Sequence, residues 1–397
     1  MRRAALTRAA KRRGRARAGH AKIRPIGAGP AMAPEHSGQG TRRQAMTLLV
    51  TGGAGFIGGN FVLDWLARSD ETIVNLDKLT YAGSLRTLEP LRADPRHVFV
   101  RGDIGDARLV AALLAEHAPR AVLNFAAESH VDRAIRDPEP FVATNIVGTF
   151  RLLECARAYH AALDGPRRDA FRFVHVSTDE VYGELAQGGP PFGEASRYAP
   201  RNPYAASKAA ADHLARAWHH TYGLPAIVTN CSNNYGPRHY PEKLIPLVIA
   251  RALAGRPLPL YGDGRQVRDW LYVGDHCAAI RQVLEAGRAG ETYNIGGNCE
   301  RTNLEVVRAL CGLLDELRPR PDGRAHAALI EFVADRPGHD RRYAIDAGKL
   351  ARELGWRARE TFESGLRRTV QWYLDHPDWL DDASPPGAAR EGGAPWP

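Results

Sequence analysis

Short hydrophobic runs alternate with longer amphipathic segments along the chain after Met46. The runs are rich in β-branched residues, as strands are, and the segments between them are long enough to be helices. The predicted strands are residues 47–51, 72–76, 98–101, 121–125 and 171–176. Because strands that alternate with helices are joined by right-handed crossovers, the pattern predicts an α/β fold built on a doubly wound parallel sheet.

The pattern changes in the second half of the chain. A long amphipathic segment predicts a helix over residues 204–222, and a strand follows over residues 226–230. After about Ser232 the spacing is less regular, and Pro-containing loops separate the predicted helical segments 243–253, 274–286 and 304–317. This change predicts a smaller C-terminal α/β lobe over the main sheet.

Composition and charge narrow the class of protein. The chain has 397 residues, of which 44% are hydrophobic, enough for one large α/β body with an added lobe. No stretch reaches about 18 uninterrupted apolar residues, so we expect no transmembrane helix. The formal net charge of +9 is concentrated in residues 1–45, which hold 12 of the 54 basic residues and one of the 45 acidic residues. The rest of the chain is nearly neutral, and we expect neither nucleic acid nor a membrane as a partner.

Residues 1–45 are rich in Ala, Arg and Gly and have no apolar periodicity, which predicts a disordered basic extension. Such a segment is compatible with nucleic-acid or anionic-lipid binding or with a transit peptide, but Arg12 and Arg13 precede no apolar export region. We expect translation to start at Met46, directly before the first strand, so that the extension is an over-extended reading frame. Five scattered cysteines without metal-type spacing predict free thiols, no metal site and a cytoplasmic location.

Residues 48–58 have the pattern of a strand, a glycine-rich turn and a helix. Gly52, Gly55 and Gly58 let the backbone approach a pyrophosphate, and the helix N-terminus offers unpaired N–H groups to it. Asp77 ends the second strand, where a carboxylate accepts hydrogen bonds from a ribose 2′-hydroxyl and repels a 2′-phosphate. The spacing therefore predicts NAD rather than NADP, although the neighbouring Lys78 is a cation that could tolerate the phosphate.

Two further groups of polar residues indicate acid–base chemistry. Tyr204 and Lys208 are four residues apart at a helix start, on one face, where an ammonium lowers a phenol pKa from its usual value of about 10. Thr178, Asp179 and Glu180 follow a strand at the carboxyl edge of the sheet, where ligands bind in this architecture. Because two adjacent carboxyls repel each other when ionised, at least one pKa should rise, which leaves one acid and one base.

These motifs together make the chain resemble the extended short-chain dehydrogenase/reductases, and within them the dTDP-glucose 4,6-dehydratase branch. The matching segments include TGGAGFIG at 51–58, LDKLTYAG at 76–83, FAAESHVDR at 125–133, TNIVGT at 144–149, STDEVYGE at 177–184, YAASK at 204–208, TNCSNNYGP at 229–237, PEKLIP at 241–246 and DRPGHDRRYAID at 335–346. The resemblance runs from Met46 to about Trp379, and residues 1–45 have no counterpart. It departs from the family pattern at Gly59, where a serine is usual, and at Ala206.

The resemblance implies an NAD-dependent hydro-lyase that converts dTDP-α-D-glucose to dTDP-4-keto-6-deoxy-D-glucose and water. Tyr204, aided by Lys208 and Thr178, would take the C4 hydroxyl proton as hydride leaves C4 for NAD⁺. Glu180 would remove the C5 proton while Asp179 protonates the departing C6 hydroxyl. Return of the hydride to C6 leaves the cofactor unchanged, so we expect it to be held tightly.

Family position also implies the binding residues of both ligands. The expected cofactor contacts are Gly52, Gly55, Phe56, Ile57, Gly58, Asp77, Lys78, Leu79, Thr80, Asp103, Ile104, Ala126, Ala127, Thr144, Tyr204 and Lys208. The expected sugar-nucleotide contacts are Ser129, Thr178, Asn230, Glu242, Lys243, Leu244, Pro259, Tyr261, Arg268, Asn303, Asp335, Arg336, His339 and Asp340. Of these, Arg268 and Arg336 suit the pyrophosphate, because a guanidinium binds phosphate oxygens in a bidentate manner.

The resemblance also implies a domain organisation and an assembly. We expect the basic extension at 1–45, a mainly NAD-binding Rossmann domain at 46–235, a mainly nucleotide-sugar-binding lobe at 236–380 with some strands returning to the main sheet, and a loose tail at 381–397. The family usually pairs as a homodimer through a four-helix bundle, here supplied by residues 144–159 and 204–222.

Three alternatives stay open at this point. A nucleotide-sugar 4-epimerase shares the Tyr–Lys pair and NAD but has no use for the acid pair at 179–180. A dehydratase that acts on a GDP- or CDP-sugar is another alternative, because base selectivity does not follow from spacing. A non-catalytic NAD-sensing regulator would need the glycine turn but not the four polar residues together. The pathway that uses the product, rhamnose or another deoxysugar, is likewise open.

Overall fold

The computed structural model describes residues 46–335 and 337–380. Our predictions for residues 1–45, for Arg336 and for residues 381–397 lie outside this part of the chain. The strands are β1 (Thr47–Thr51), β2 (Thr72–Asp77), β3 (His97–Arg101), β4 (Ala121–Asn124), β5 (Arg172–Thr178), β6 (Ala226–Cys231), β7 (Asn233–Tyr235), β8 (Leu258–Tyr261), β9 (Val267–Tyr272), β10 (Thr292–Ile295), β11 (Glu300–Thr302) and β12 (Ile330–Val333).

The α-helices lie between these strands or follow them. They are α1 (Phe56–Arg68), α2 (Ala107–His117), α3 (Val131–Arg136), α4 (Glu139–Phe141), α5 (Thr149–Ala162), α6 (Gly165–Ala170), α7 (Pro203–Tyr222), α8 (Leu244–Leu253), α9 (Val273–Ala286), α10 (Asn303–Leu317), α11 (Gly348–Leu354) and α12 (Phe362–Asp375). Short 3-10 segments span Leu85–Leu91, Asp179–Tyr182, His326–Leu329 and Pro377–Trp379, and a π-helix spans Val142–Gly148. None of the helices in the described ranges is both long and apolar enough to cross a bilayer.

Seven strands form one parallel sheet in the order β10-β6-β5-β4-β1-β2-β3. Six of them were predicted, and their ends differ from the prediction by at most two residues. β4 and β6 are buried along their whole length, as expected of strands covered on both faces. The prediction of a doubly wound parallel sheet is therefore confirmed. β10, from the irregular second half, extends the sheet beside β6.

Helices cover both faces of this sheet. On one face, Phe61 and Trp65 of α1 and Ile280 of α9 pack on buried strand residues such as Val50. On the other face, α2, α5 and α7 contribute Leu114, Leu152, Ala215 and their neighbours to a second apolar cluster. Because all seven strands are parallel, the loops that follow them meet at one edge of the sheet.

Elements from the second half of the chain build the smaller lobe. β7, β9 and β11 form one small sheet, and β8 and β12 form another. α8, α10 and α12 enclose a core that includes Tyr235, Trp270 and Leu310. α10 starts with a capping box, in which Thr302 and Glu305 each accept a hydrogen bond from the other's backbone N–H.

The start of α7 fixes the position of the Tyr204–Lys208 pair. Asn202 is the N-cap, and its side-chain oxygen accepts a hydrogen bond from the N–H of Ala205 at 2.8 Å. Pro203 takes the first helical position, where its missing N–H costs no hydrogen bond. The helix therefore begins one residue before Tyr204 and brings it to the edge of the sheet.

Candidate active site

A cleft opens at the carboxyl edge of the large sheet. Its walls are the loops after β1, β2, β3, β4 and β5, the start of α7, and residues 231–243 that lead into the smaller lobe. This is the edge at which parallel α/β sheets bind their ligands. The cleft thus collects side chains from segments nearly 200 residues apart in the sequence.

The glycine turn after β1 forms one end of the cleft. Gly52 has a φ of +72°, and a Cβ there would lie 2.5 Å from the backbone nitrogen of Ala126. A Cβ on Gly58 would lie 2.3 Å from the carbonyl oxygen of Gly52, so α1 could not pack this close to the turn. No side chain caps the first turn of α1, and that turn has no acidic residue. The turn is a concave, uncapped helix N-terminus that suits a pyrophosphate.

The carboxylate of Asp77 ties the turn to the next strand. Its Oδ2 accepts a hydrogen bond from the Ala54 N–H at 2.9 Å, and its Oδ1 accepts one from the Leu79 N–H at 2.8 Å. Burial raises the pKa of Asp77, although both N–H groups and Lys78 oppose the rise. Leu79 does not line the cleft; it takes a left-handed backbone (φ 56°) and contributes its N–H. Asp77 therefore fixes the shape of the turn as well as facing the cleft.

Asp179 and Glu180 enter the cleft on the 3-10 turn that follows β5. The Thr178 hydroxyl caps this turn by accepting a hydrogen bond from the Glu180 N–H at 3.3 Å. Burial raises the pKa of Asp179 well above its usual value, Glu180 and Asp269 add to the rise, and Arg268 opposes it. The predicted direction is confirmed, but burial contributes more than the neighbouring carboxyl. Burial thus favours the protonated form of Asp179, which is the form that can donate a proton.

Tyr204 and Lys208 face the same cleft from α7, but their electrostatics differ from the prediction. Burial raises the pKa of Tyr204 well above 10, Glu180 and Cys231 add to this, and the Thr178 hydroxyl opposes it. The net pKa of Tyr204 is therefore raised, which is opposite to the predicted decrease. The Lys208 ammonium instead donates a hydrogen bond to the Val176 carbonyl oxygen at 2.8 Å. In the protein by itself Tyr204 is a neutral phenol.

Asn145, to which the sequence analysis gave no role, joins three parts of the site. It lies in the π-helix, a distortion that often marks functional sites. Its Oδ1 accepts from the Glu128 N–H at 2.9 Å, and its Nδ2 donates to the Glu128 carbonyl oxygen at 2.9 Å and to the Ser207 hydroxyl at 2.8 Å. The same π-helix brings Thr144 to the cleft, where its hydroxyl accepts a hydrogen bond from Lys78 at 3.0 Å. The family segments at 125–133 and 144–149 contain Glu128 and Asn145, so the sequence signal for this contact was available.

The cleft brings together most of the expected cofactor residues and few of the expected substrate residues. Every expected cofactor residue except Leu79 lines it. Of the expected substrate residues, four line it: Ser129, Thr178, Glu242 and Lys243. Asn230, Leu244, Pro259, Tyr261, Arg268, Asn303, Asp335, His339 and Asp340 do not line it.

The cleft also has lining residues to which the sequence analysis gave no role. They include Glu128, Cys231, Ser232, Asn233, Asn234, His239 and Tyr240. His239 stacks on Phe56 of the glycine turn, with ring centroids 4.0 Å apart, and burial lowers the pKa of its imidazole well below the usual value. The adjacent asparagines Asn233 and Asn234 of the segment 229–237 were the sequence signal for this wall of the cleft.

Fold and site together define an extended short-chain dehydrogenase/reductase. A family model described as GDP-mannose 4,6 dehydratase matches residues 49–369. The dTDP-glucose 4,6-dehydratase of Xanthomonas campestris pv. campestris (strain B100) is 65% identical over 334 residues, which cover 84% of this chain and 95% of that enzyme. The chain therefore belongs to this family of nucleotide-sugar 4,6-dehydratases.

Comparison with solved structures supports the same family. A dTDP-glucose 4,6-dehydratase of Streptomyces venezuelae, crystallised with NAD, is 48% identical, with a TM-score of 0.77 and coverage of 84% of this chain and 98% of that one. A UDP-glucose 4-epimerase of Thermotoga maritima has a similar TM-score of 0.73 but only 26% identity, with coverage of 84% and 100%. The fold is thus shared with epimerases, while the sequence is much closer to the dehydratases.

Proposed function

We propose that this protein is a dTDP-glucose 4,6-dehydratase, which converts dTDP-α-D-glucose to dTDP-4-keto-6-deoxy-D-glucose and water. One observation carries the proposal: a single cleft is lined by the glycine turn, by Tyr204 and Lys208, and by both Asp179 and Glu180. An oxidation base, an acid and a second base are the groups that this reaction requires. A 4-epimerase would use the oxidation base and would leave the carboxyl pair without a role.

NAD is the cofactor that the cleft fits best. The close backbone approach at Gly52 and Gly58 accommodates a pyrophosphate, and the Asp77 carboxylate lies where a 2′-phosphate would be repelled. When bound, NAD⁺ supplies the hydride acceptor for C4 and later the donor for C6, and its positive ring would favour phenolate over phenol. Because there is no net redox change, the enzyme has no need to exchange the cofactor between turnovers.

Each proton transfer of the reaction is assigned to a different residue of the site. Tyr204 takes the C4 hydroxyl proton, and Lys208 and Thr178 stabilise the phenolate. A ketone at C4 makes the C5 hydrogen acidic, and Glu180 removes it as a base. Asp179, whose protonated form is favoured by burial, gives its proton to the departing C6 hydroxyl, which leaves as water. Glu180 finally returns a proton to C5.

We assign the cofactor and the nucleotide of the substrate mainly to different parts of the chain. Residues 46–235 would hold mainly the cofactor, and residues 236–380 mainly the nucleotide. Glu242 and Lys243 reach the cleft from the lobe, where the Lys243 ammonium donates a hydrogen bond to the Ser129 carbonyl oxygen at 2.9 Å. Recognition of thymidine over guanosine or cytidine is supported by the 65% identity with a dTDP-glucose enzyme rather than by a contact.

Incubation of the purified protein with dTDP-glucose tests the proposal most directly. We expect a 4-keto-6-deoxy product, which is recognised by its absorbance in base, and no accumulation of a 4-epimer. UDP-, GDP- and CDP-glucose at the same concentration serve as competitors. Formation of a galactose configuration would support an epimerase instead, and absence of turnover with every nucleotide sugar would support a regulator.

We also propose a cytoplasmic homodimer. Apolar side chains are exposed on the π-helix, α5 and the end of α7: Val142, Val147, Phe150 and Tyr222 are 48%, 40%, 42% and 52% exposed. Trp218 of α7 packs edge-on against both Phe150 and Tyr222, so the two helices present one continuous aromatic surface. The five cysteines are free thiols, which suits a reducing compartment.

Sedimentation of a variant tests this assembly. Phe150→Glu should convert a dimer to a monomer, because a charge would be buried in the interface. Phe332→Glu, at an exposed apolar position in the lobe, is the matched control and should leave the dimer intact. A wild-type protein that sediments as a monomer at micromolar concentration would contradict the proposal.

A further inference from the structure

The side chain of Asn202 makes two contacts, one from each end of its amide group. Its Oδ1 accepts the hydrogen bond from the Ala205 N–H at 2.8 Å that caps α7, and its Nδ2 donates a hydrogen bond to Oε2 of Glu180 at 3.4 Å. The second contact joins the start of the helix that carries Tyr204 to the carboxyl pair that follows β5. The reaction steps above give Asn202 no part in the chemistry.

The helix cap fixes which way the amide of Asn202 points. An amide carries an oxygen acceptor and an NH₂ donor in nearly equivalent positions, so a rotation by about 180° exchanges them. The rotated amide would set its NH₂ against the Ala205 N–H and its oxygen against the Glu180 carboxylate, and both hydrogen bonds would be lost. The cap therefore turns the donor of Asn202 towards Glu180.

The backbone at Asn202 is as constrained as its side chain. The residue is only 7% exposed, and its carbonyl oxygen accepts a hydrogen bond from the Ala206 N–H at 2.9 Å. Pro203 follows it, and a residue before proline is restricted to extended conformations such as the φ of −135° and ψ of 160° found here. Because an N-cap needs the same extended backbone, little further conformational freedom is lost when the donor is held in place.

The segment that leads into α7 packs directly on the 3-10 turn that carries Glu180. The Ala199 N–H donates a hydrogen bond to the Val181 carbonyl oxygen at 3.0 Å. A Cβ on Gly183 would lie 2.2 Å from the Ala199 carbonyl oxygen, so the two segments could not approach this closely with a side chain at that position. These backbone contacts keep Asn202 beside Glu180.

We propose that Asn202 is a positioning residue of the dehydratase, which orients the Glu180 carboxylate for removal of the C5 proton. A glutamate side chain can rotate about several bonds, and a charge-assisted hydrogen bond to one of its oxygens restricts that rotation. Proton removal from carbon depends strongly on the placement of the base relative to the C–H bond. The inference rests on the proposed function, in which Glu180 is the C5 base.

Asn202→Ser tests this role, because it separates the donor from the cap. Serine caps a helix about as well as asparagine but has no NH₂ group to reach Glu180. In a single turnover with dTDP-glucose we expect oxidation at C4 at the wild-type rate. The decay of the reduced cofactor and the exchange of the C5 hydrogen with solvent deuterium should each be about tenfold slower. KM for dTDP-glucose and the NAD content should not change.

Two further variants serve as controls. Asp106→Ser, at the N-cap of α2, exchanges one capping side chain for another outside the cleft and should change neither step. Asn202→Ala removes the donor and the cap together, so Tm should fall as well as the rate of C5 exchange. If the amide served only the cap, Asn202→Ala would be impaired and Asn202→Ser would not.

Three results would overturn the inference. One is a wild-type rate of C5 exchange in Asn202→Ser. Another is equal slowing of C4 oxidation and C5 exchange in that variant, which would place the effect at Tyr204 and the start of α7 rather than at Glu180. The third needs no variant to fold: a crystal structure of the NAD-loaded wild type in which Nδ2 of Asn202 is more than about 3.6 Å from both carboxylate oxygens of Glu180.

Failure of the inference and failure of the proposed function are distinguishable. If the wild type does not turn over dTDP-glucose, the proposed function fails, and the crystal structure still decides whether Asn202 contacts Glu180. If the wild type is active and only Asn202→Ser behaves differently from our expectation, the inference fails and the assignment of Glu180 as the C5 base stands.

Discussion

The expected cofactor residues and the expected substrate residues of the lobe form two halves of the site that are built in different ways. The cofactor half consists of one local motif and its backbone: the glycine turn, held in shape by hydrogen bonds from Ala54 and Leu79 to Asp77. In the lobe, the expected substrate residues are bonded to the protein itself. The Arg268 guanidinium donates to the carbonyl oxygens of Val267 and Asp340 and lies 4.3 Å from the ring centroid of Tyr343.

This difference teaches that motif spacing locates a backbone-built site better than a site built from distant charged side chains. A glycine turn works through local geometry, which neighbouring residues set. An arginine or aspartate in a lobe acts according to which other charges fold next to it. The following changes test whether the two halves can be separated experimentally.

The largest effect should come from Tyr204, which serves both halves. Tyr204→Phe removes the base for the C4 hydroxyl and should lower kcat by about 10²–10⁴-fold, while NAD remains bound. Turnover and the NAD content of the purified protein measure the two outcomes. Tyr235→Phe in the lobe core is the control and should keep near-normal turnover. A Tyr204→Phe enzyme with normal kcat would remove Tyr204 from its role.

The adjacent carboxyls should fail at different steps, each with a loss of about 10²–10³-fold in product formation. Glu180→Gln should stall after oxidation at C4 and block exchange of the C5 hydrogen with solvent deuterium. Asp179→Asn should permit that exchange but slow the loss of water from C6. Mass spectrometry of recovered substrate separates the two, and full exchange in Glu180→Gln would assign the C5 base elsewhere.

A change in the lobe should affect the substrate and leave the cofactor alone. Arg268→Lys loses the planar fork that anchors Asp340, at a cost of about 1.5–3 kcal/mol for a charged hydrogen bond. We expect KM for dTDP-glucose to rise by roughly tenfold or more, with unchanged NAD content. The exposed Arg301→Lys, which is bonded to Glu363 in the wild type, is the control. Loss of NAD from Arg268→Lys would show that the halves are coupled.

A change in the cofactor half should have the reverse pattern. Asp77→Asn keeps one oxygen acceptor and replaces the other oxygen with an amide NH₂. Either the Ala54 N–H or the Leu79 N–H then loses its acceptor. We expect this loss to weaken NAD binding by about 1–3 kcal/mol. Turnover should recover with added NAD, and discrimination against NADP should decrease. Asp106→Asn at the N-cap of α2 is the control, since asparagine caps as well as aspartate. Unchanged retention of NAD would rule out this function for Asp77.

The smallest effect concerns stability. The pKa of Asp179 is raised in the folded protein, so its contribution to stability is present below its unfolded value of 3.8 and is lost as pH rises through the folded value. Asp179→Asn should therefore raise Tm by a few degrees near pH 7 and by less near pH 4. Thermal unfolding across this pH range measures the difference.

Asp263 serves as the comparison, because the pH dependence of its contribution to stability has the opposite sign. Arg341 lowers the pKa of Asp263 to about 2, so its contribution is present above 3.8 and is lost as pH falls through about 2. Asp263→Asn should lower Tm at neutral pH. Equal Tm changes for Asp179→Asn at both pH values would contradict the raised pKa of the buried Asp179 carboxyl.

The sequence by itself determined the parallel sheet, the glycine turn and the residues that we propose for the proton transfers, because these depend on periodicity and on short motifs. The tertiary structure decided what those residues experience. It raised the pKa of Tyr204 where the Lys208 spacing predicted a decrease, and it made burial the main cause at Asp179. It also added β10 to the sheet. Desolvation and long-range pairing are set by segments far apart in the chain, and no local pattern encodes them.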